Sequence, residues 1–346
     1  MTNPEAGNPT AGADACAAPA APVVSAPDIQ QAVRRLEAGE LVGLPTETVY
    51  GLAADAANDS AVRAIYAAKG RPADHPVIVH LHRDADPLRW ASRVTPAAQR
   101  LIDAFWPGPL TLVLPRREGV AGVCAAGQDT IALRCPDHAV AQAVLALLHG
   151  GQGGLAAPSA NRFGRISPTR AEHVRAELGA AVAMVLDGGE CAVGIESTIV
   201  DCSCANPRIL RPGGLSAAEL ARVLGVAPDE LRAAAAPGAP RVPGALASHY
   251  APRTPLHRRS AAQIDAQWPS QSRQVGVLAP RAAPAGAQHA NWRRLPGAPE
   301  AYAQGLYAAL RELDALGLRE IWVEAVPEQP PWDAVRDRLR RACGAG

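Results

Sequence analysis

Residues 41–80 read LVGLPTETVYGLAADAANDSAVRAIYAAKGRPADHPVIVH. Leu41, Val42, Gly43 and Leu44 form a short apolar run halted by Pro45, as a buried strand would be. Thr46, Glu47 and Thr48 then place three polar side chains at the mouth of that strand. Asp59 or Ser60 can cap a helix over residues 61–68, with Val62, Ile65 and Tyr66 on its buried face. The helix ends in Lys69, Gly70, Arg71 and Pro72; Gly70 suits the left-handed C-terminal position and Pro72 forbids continuation. Val77, Ile78 and Val79 make the next strand, which ends in His80. The order is strand, polar turn, helix, basic turn, strand. It brings hydroxyls, an acid, two cations and a histidine to the ends of adjacent elements, where open α/β sheets hold their ligands.

The surrounding 346 residues are enough for two domains. Hydrophobic content of 48% with 19% charged residues fits a soluble globular protein, and only 4% aromatic residues leaves the cores to Ala, Val, Leu and Ile. A net charge of +1 argues against nucleic-acid binding through bulk electrostatics, while leaving room for a local basic cleft. No apolar run approaches the ~18 residues of a membrane span. No basic segment followed by an apolar core opens the chain, so no secretory signal is expected. The seven cysteines are odd in number and scattered, which favours a reducing cytoplasm over a disulfide framework. Cys202 and Cys204 lie close together but lack a second pair, so no metal site is expected there.

Outward from the central stretch, residues 1–26 are rich in Ala, Pro and Gly and read as a disordered tail. A catalytic α/β domain is expected over residues 27–215, with a helix over 28–36 and a Thr95-capped helix from Pro96. Strands are expected over 110–114 and 130–134, the latter placing Thr130 and Arg134 on one face. A helix over 138–148, a flexible glycine loop over 150–154 and a strand over 155–157 follow. Thr169 is read as the cap of a helix to Leu178, with strands over 183–186, 197–201 and 208–211 beyond it. Ser216 and Glu219 form a capping box at the start of a helix through Leu224. Residues 216–255 read as that helix, a short Ala-rich helix and a Pro/Gly linker. A smaller α/β domain over 256–346 has strands at 275–278 and 321–323, an amphipathic helix over 302–316 and a basic final helix over 334–342.

The common catalytic signatures are absent: there is no Walker A sequence, no dinucleotide-binding glycine pattern after a strand, no HExxH and no nucleophile elbow. What remains is a set of cations and hydroxyls at element ends: Lys69, Arg71, Arg134, Arg211, Thr48, Thr130, Ser159, Ser167, Ser197 and Asn161. Guanidinium forks, hydroxyls and backbone amides bind phosphate, so a phosphate-bearing ligand is the natural occupant. Taken singly, each of these residues also fits a solvated surface charge or a turn.

The segments LPTETVYGL (44–52), KGRP (69–72), FWPGPLT (105–111), PSAN (158–161), SPT (167–169), EST (196–198) and LRPG (210–213) resemble the YrdC/Sua5 family, collinearly through about residues 28–215. PG (243–244), SHYAP (248–252) and DRLRRA (337–342) resemble the linker and the end of the C-terminal domain of its long, two-domain form. The resemblance implies a YrdC-like twisted, open mixed sheet with helices, followed by a smaller Rossmann-like domain. It also implies synthesis of L-threonylcarbamoyladenylate from L-threonine, bicarbonate and ATP, with release of pyrophosphate, for the threonylcarbamoyl modification of adenosine 37 in tRNA.

By that resemblance Lys69, Arg71, Ser159 and Asn161 form the catalytic tetrad. ATP contacts fall to Arg71, His75, Thr130, Ser159, Ser167, Arg211 and, from the linker, Tyr250. Threonine contacts fall to Thr48, His80, Arg134, Ser197 and the Ala157 main chain. At His75 the family usually has Asn, so that contact differs in kind. Mg2+ is the implied cofactor, held mainly by the ATP phosphates rather than by protein ligands, and the implied partners beyond the substrates are tRNA and the downstream transferase. His80 is the candidate general base, with solvent as the alternative. The linker bearing Tyr250 is expected to lie over ATP as a lid anchored by the second domain. Two other readings stand beside this one: a double-stranded RNA or tRNA-binding module without synthase activity, and a carbamoyl-transfer domain like that of hydrogenase-maturation proteins, whose zinc-finger cysteines are missing here.

Overall fold

The computed structural model describes residues 24–232, 238–284 and 290–344. The tail expected over 1–26 lies mostly outside these. Its last residues belong to the fold, since Ser25 and Asp28 build a capping box on α1 (Ala26–Glu37).

Nine strands form the first sheet. The central stretch supplies β1 (Val42–Leu44), β2 (Gly51–Asp55), α2 (Asp59–Lys69) and β3 (Val79–Leu81). Next come α3 (Pro96–Phe105), β4 (Leu110–Pro115), β5 (Thr130–Arg134), α4 (Ala139–Leu147) and β6 (Gly154–Ala156). Then follow α5 (Ala171–Leu178), β7 (Met184–Val185), β8 (Thr198–Asp201), β9 (Arg208–Arg211), α6 (Ala217–Leu224) and α7 (Pro228–Arg232). The strand order is β7-β1-β2-β6-β3-β5-β4-β8-β9, with parallel and antiparallel neighbours mixed. The second sheet is all parallel, in the order β10-β13-β11-β12. It is built from β10 (Leu256–Arg259), α8 (Ala261–Gln271), β11 (Val275–Ala279), β12 (Trp292–Arg294), α9 (Pro299–Asp314), β13 (Glu320–Glu324) and α10 (Asp333–Ala342).

Several expectations change. The strand β2 was not expected; it pairs antiparallel with β1, so the polar turn is the loop of a hairpin. Asn58, not Asp59 or Ser60, caps α2, accepting from the Ser60 and Ala61 N–H groups. Thr169 does not cap α5: Arg170 holds that position without a side-chain bond, while the Thr169 N–H donates to His173 Nδ1 at 3.2 Å. The glycine segment at 150–154 is part turn and part strand, with Gly154 opening β6. In the second domain β10, α8 and β12 are additions to the expected elements.

Helices cover the first sheet on both faces. Val42, Leu44, Ala53 and Leu155 point toward α1 and α4, whereas Leu52, Ala54 and Ala156 point to a core shared with α2, α3 and α6. The period-two alternation makes this division automatic. Ile78, Val113, Ala132 and Ile199 lie outside both groups, and Val242 of the linker packs on them. The linker thus does the work of a helix over that part of the sheet, and the site lies beside it.

Candidate functional site

The hairpin loop is built by Thr46. Its hydroxyl donates to the Val49 carbonyl at 2.6 Å and accepts from the Thr48 and Val49 N–H groups, satisfying a turn that is buried from water. The Leu52 and Ala160 N–H groups tie this hairpin to residues 158–160 by donating to Pro158 O and Tyr50 O at 2.7 and 2.8 Å. Between these segments lies a pocket lined by the hairpin loop, the ends of β3 and β5, residues 157–159, residues 196–197, Arg211 and the linker. Gly51 opens β2, whereas Arg134 and Arg211 close β5 and β9. The site therefore collects both ends of strands running in opposite directions.

Three buried arginines face this space: Arg71, Arg134 and Arg211. Arg71 Nη2 donates to Pro76 O at 2.7 Å, and burial lowers its pKa to about 10, which leaves it charged at neutral pH. Arg211 donates through Nη1 to Pro243 O and through Nη2 to Ser197 O, at 2.9 and 2.8 Å, while its Nε has no partner. Arg134 Nη2 lies 2.7 Å from Glu47 Oε1, an ion pair without the alignment of a hydrogen bond. His80 is buried with Nδ1 unpartnered; burial, helped by Arg134, pushes its pKa down to about 3. Glu196 is the pocket's carboxylate. Burial alone would raise its pKa, but Arg338, Arg211 and the bonds from Ser167 and Arg338 hold it at about 2.

The linker completes the wall. Tyr250 has a left-handed backbone with φ of 63°, uncommon for a bulky residue, which turns its ring inward beside Gly244. His249 lies edge-on to that ring, 4.2 Å between centroids. The free space left inside is about 40 Å³, enough for a few waters.

Of the residues expected from the sequence, Thr48, Arg71, His80, Arg134, Ala157, Ser159, Ser197, Arg211 and Tyr250 all line this pocket. Five expected residues do not. Lys69 stands behind the wall, donating to Ser159 O and Asn161 O at 2.5 and 2.6 Å. Asn161 turns its amide to the Arg162 and Arg165 carbonyls. Ser167 donates to Glu196 Oε1 at 2.6 Å. His75 accepts at its carbonyl from Tyr66 and Arg71, with its ring edge-on to Phe163. Thr130 shares a strand face with Arg134 but begins β5 where Arg134 ends it, about 13 Å away. Thr46, expected at the strand mouth, also lines the pocket, whereas sequence reasoning passed over Glu196, His249, Pro243 and Gly244 as pocket residues. Glu196 and His249 were within reach, because each adjoins a residue that was chosen.

Comparison with known proteins agrees with this architecture. Residues 34–213 match the Sua5/YciO/YrdC family model, described as telomere recombination, and residues 215–344 match the C-terminal domain model of threonylcarbamoyl-AMP synthase. A threonylcarbamoyl-AMP synthase of Pyrococcus abyssi is 38% identical, over 88% of this chain and 91% of its own. One of Bacillus subtilis is 38% identical, over 92% and 93%. The crystal structure of P. abyssi Sua5 complexed with L-threonine superposes with a TM-score of 0.80 at 36% identity, covering 91% of this chain and 94% of that one. With both domain models matched in order and the fold shared over nearly the whole length, the chain belongs to the two-domain Sua5 family.

Proposed function

We infer that this chain is a threonylcarbamoyl-AMP synthase, joining L-threonine, bicarbonate and ATP into L-threonylcarbamoyladenylate with release of pyrophosphate. The observation that carries the reading is the convergence of Arg71, Arg134 and Arg211 with the Thr48, Ser159 and Ser197 hydroxyls in one buried pocket. Three cations around a small polar space suit two anions that must react with each other.

The chemistry divides between two ends of the pocket. The threonine carboxylate would take Arg134, with Thr48, His80 and the Ala157 main chain around the amino acid. The threonine nitrogen adds to the carbon of bicarbonate, water leaves, and a carbamate forms. A carbamate oxygen then attacks the α-phosphorus of ATP, the bond to the β-phosphate breaks, and pyrophosphate departs. Charge crowding between carbamate and phosphates is the main barrier, and Arg71 and Arg211 relieve it. No protein nucleophile is required, and positioning supplies much of the rate. A histidine whose pKa is lowered to about 3 is a poor proton acceptor near neutrality. His80 is therefore assigned to orienting threonine, and the amine's proton goes to solvent.

Among the described residues no group of three or more His, Cys, Asp or Glu side chains could hold a metal ion, and Glu196 is already engaged by Ser167, Tyr307 and Arg338. Mg2+ would accordingly arrive on the nucleotide phosphates, with ligands from phosphate and water. The linker, with Tyr250 and His249, acts in this proposal as a lid that withdraws to admit ATP and recloses over a hydrolysable product. Transfer of that product to tRNA by a partner transferase, in the cytoplasm, completes the proposed role; no helix of the described residues is long and apolar enough to cross a membrane.

The test is pyrophosphate release from ATP and Mg2+, with threonine and bicarbonate added singly and together. Release requiring both supports the synthase. ATP binding with release that ignores either one would sink it.

A further inference from the structure

The second domain reaches the active site at Glu196 and Tyr250. Glu196, 7% exposed, accepts from Ser167 Oγ at 2.6 Å, from Tyr307 Oη of α9 at 3.0 Å and from Arg338 Nε of α10 at 2.7 Å. Every guanidinium nitrogen of Arg338 is engaged: Nη1 donates to Asp337 at 2.8 Å, and Nη2 donates to Pro212 O at 3.0 Å, next to Arg211. The same guanidinium lies over the Tyr250 ring, 5.0 Å from its centroid, and the Tyr307 ring stacks on Tyr250 at 5.8 Å. Arg338 and Tyr307 thus meet three residues assigned to ATP. Tyr250 is touched directly, Ser167 is held through Glu196, and Arg211 is flanked by Glu196 and by the Arg338 bond to Pro212. On the threonine side, Arg134 is held by Glu47, outside this network.

We propose that Arg338 and Tyr307 are positioning residues for the nucleotide half of the site, acting through Glu196 and Tyr250, so that the second domain is a working part of ATP binding. This rests on the synthase reading. The physical reason is charge sharing. Glu196 lies between two arginines, and Arg338 takes up its charge in a fixed geometry, so that Arg211, anchored on Pro243 O and Ser197 O, keeps its place in the pocket wall. With Arg338 gone, Glu196 turns to Arg211 as its remaining cation and withdraws it from the pocket.

The experiment measures ATP affinity by calorimetry, and the Michaelis constants of ATP and threonine, on full-length Tyr307→Phe, Arg338→Lys, Arg338→Met and Arg338→Met/Glu196→Gln. Tyr307→Phe keeps the stacked ring and loses the bond to Glu196; ATP affinity is expected to fall about tenfold, as for one hydrogen bond to a charged group. The threonine constant should move less than about twofold, since no partner of Arg134 is altered. Arg338→Met should weaken ATP more than Arg338→Lys. Adding Glu196→Gln to Arg338→Met should restore part of the affinity by removing the stranded charge. A merely structural role would move both substrate constants together, with no recovery in the double variant; that result overturns the proposal. Should Arg338→Met not fold, unchanged ATP affinity in Tyr307→Phe overturns it equally. Failure of the synthase reading shows separately, as absence of threonine- and bicarbonate-dependent pyrophosphate release in the unaltered chain, while direct ATP binding still decides the positioning question.

Discussion

Lys69 Nζ donates to the main-chain oxygens of Ser159 and Asn161, and it is buried behind the pocket wall rather than facing the pocket. Burial, with repulsion from Arg71, pulls its pKa well below the usual lysine value. Lys69 holds the 159–161 turn that presents Ser159 to the pocket. Lys69→Met should cost about 1–3 kcal/mol of stability, because two buried carbonyls lose their donor, and it should reduce activity through a misplaced Ser159. Urea unfolding and pyrophosphate release measure the two losses. Full stability with lost activity would instead make Lys69 a direct substrate ligand.

Glu47 and Arg134 form a buried pair, with side chains 8% and 4% exposed. Removing either partner alone strands a charge, so Arg134→Ala and Glu47→Ala should each destabilise the fold by about 3–5 kcal/mol. The double variant should recover much of that stability and none of the threonine-dependent activity. Recovery of activity would show that Arg134 does not bind the substrate carboxylate.

Gly244 adopts φ of 74°, and a Cβ there would overlap the Tyr250 hydroxyl. Gly244→Ala should therefore displace the lid ring, and Tyr250→Ala should remove it. Both are expected to weaken ATP about tenfold or more, leaving the 24–232 fold intact by circular dichroism. Unchanged nucleotide affinity in Tyr250→Ala would dismiss the lid.

Acid should destabilise the protein earlier than its carboxylates alone would dictate. His80 and His249 are buried with folded pKa values of about 3, against an unfolded value of about 6.5. Between those values the unfolded chain binds more protons, so stability rises with pH across that window and is lost as pH falls below 6.5. The contribution of Glu196, at about 2 in the fold, is lost only as pH falls through the carboxylate range toward 2. The melting temperature should therefore fall between pH 7 and pH 5, less steeply in His80→Asn. A flat profile in the unaltered chain over that interval contradicts the buried neutral histidines.

Much of the site was legible because its residues sit at element ends with clear local signals. Gly70 does take the left-handed C-cap of α2, Thr95 caps α3, and the Ser216–Glu219 box opens α6. Thr130 illustrates the limit. Alternation placed it correctly on the Arg134 face, but a shared face says nothing about distance along the strand or about what covers each end. The hairpin β1–β2 was missed because all five residues of β2 are buried, so Gly51–Asp55 carries no alternating pattern to reveal it.

The α/β class, the two-domain plan, several helix caps and nine of the pocket-lining residues were legible in the chain alone. Those depend on local propensity, periodicity and motifs read over a few residues. Tertiary structure alone decided that Glu47 holds Arg134, that Lys69 braces a turn, and that Arg338, 142 residues from Glu196, binds it across the domain interface. Buried charges must find partners wherever the fold brings them, and no spacing along the chain encodes that choice.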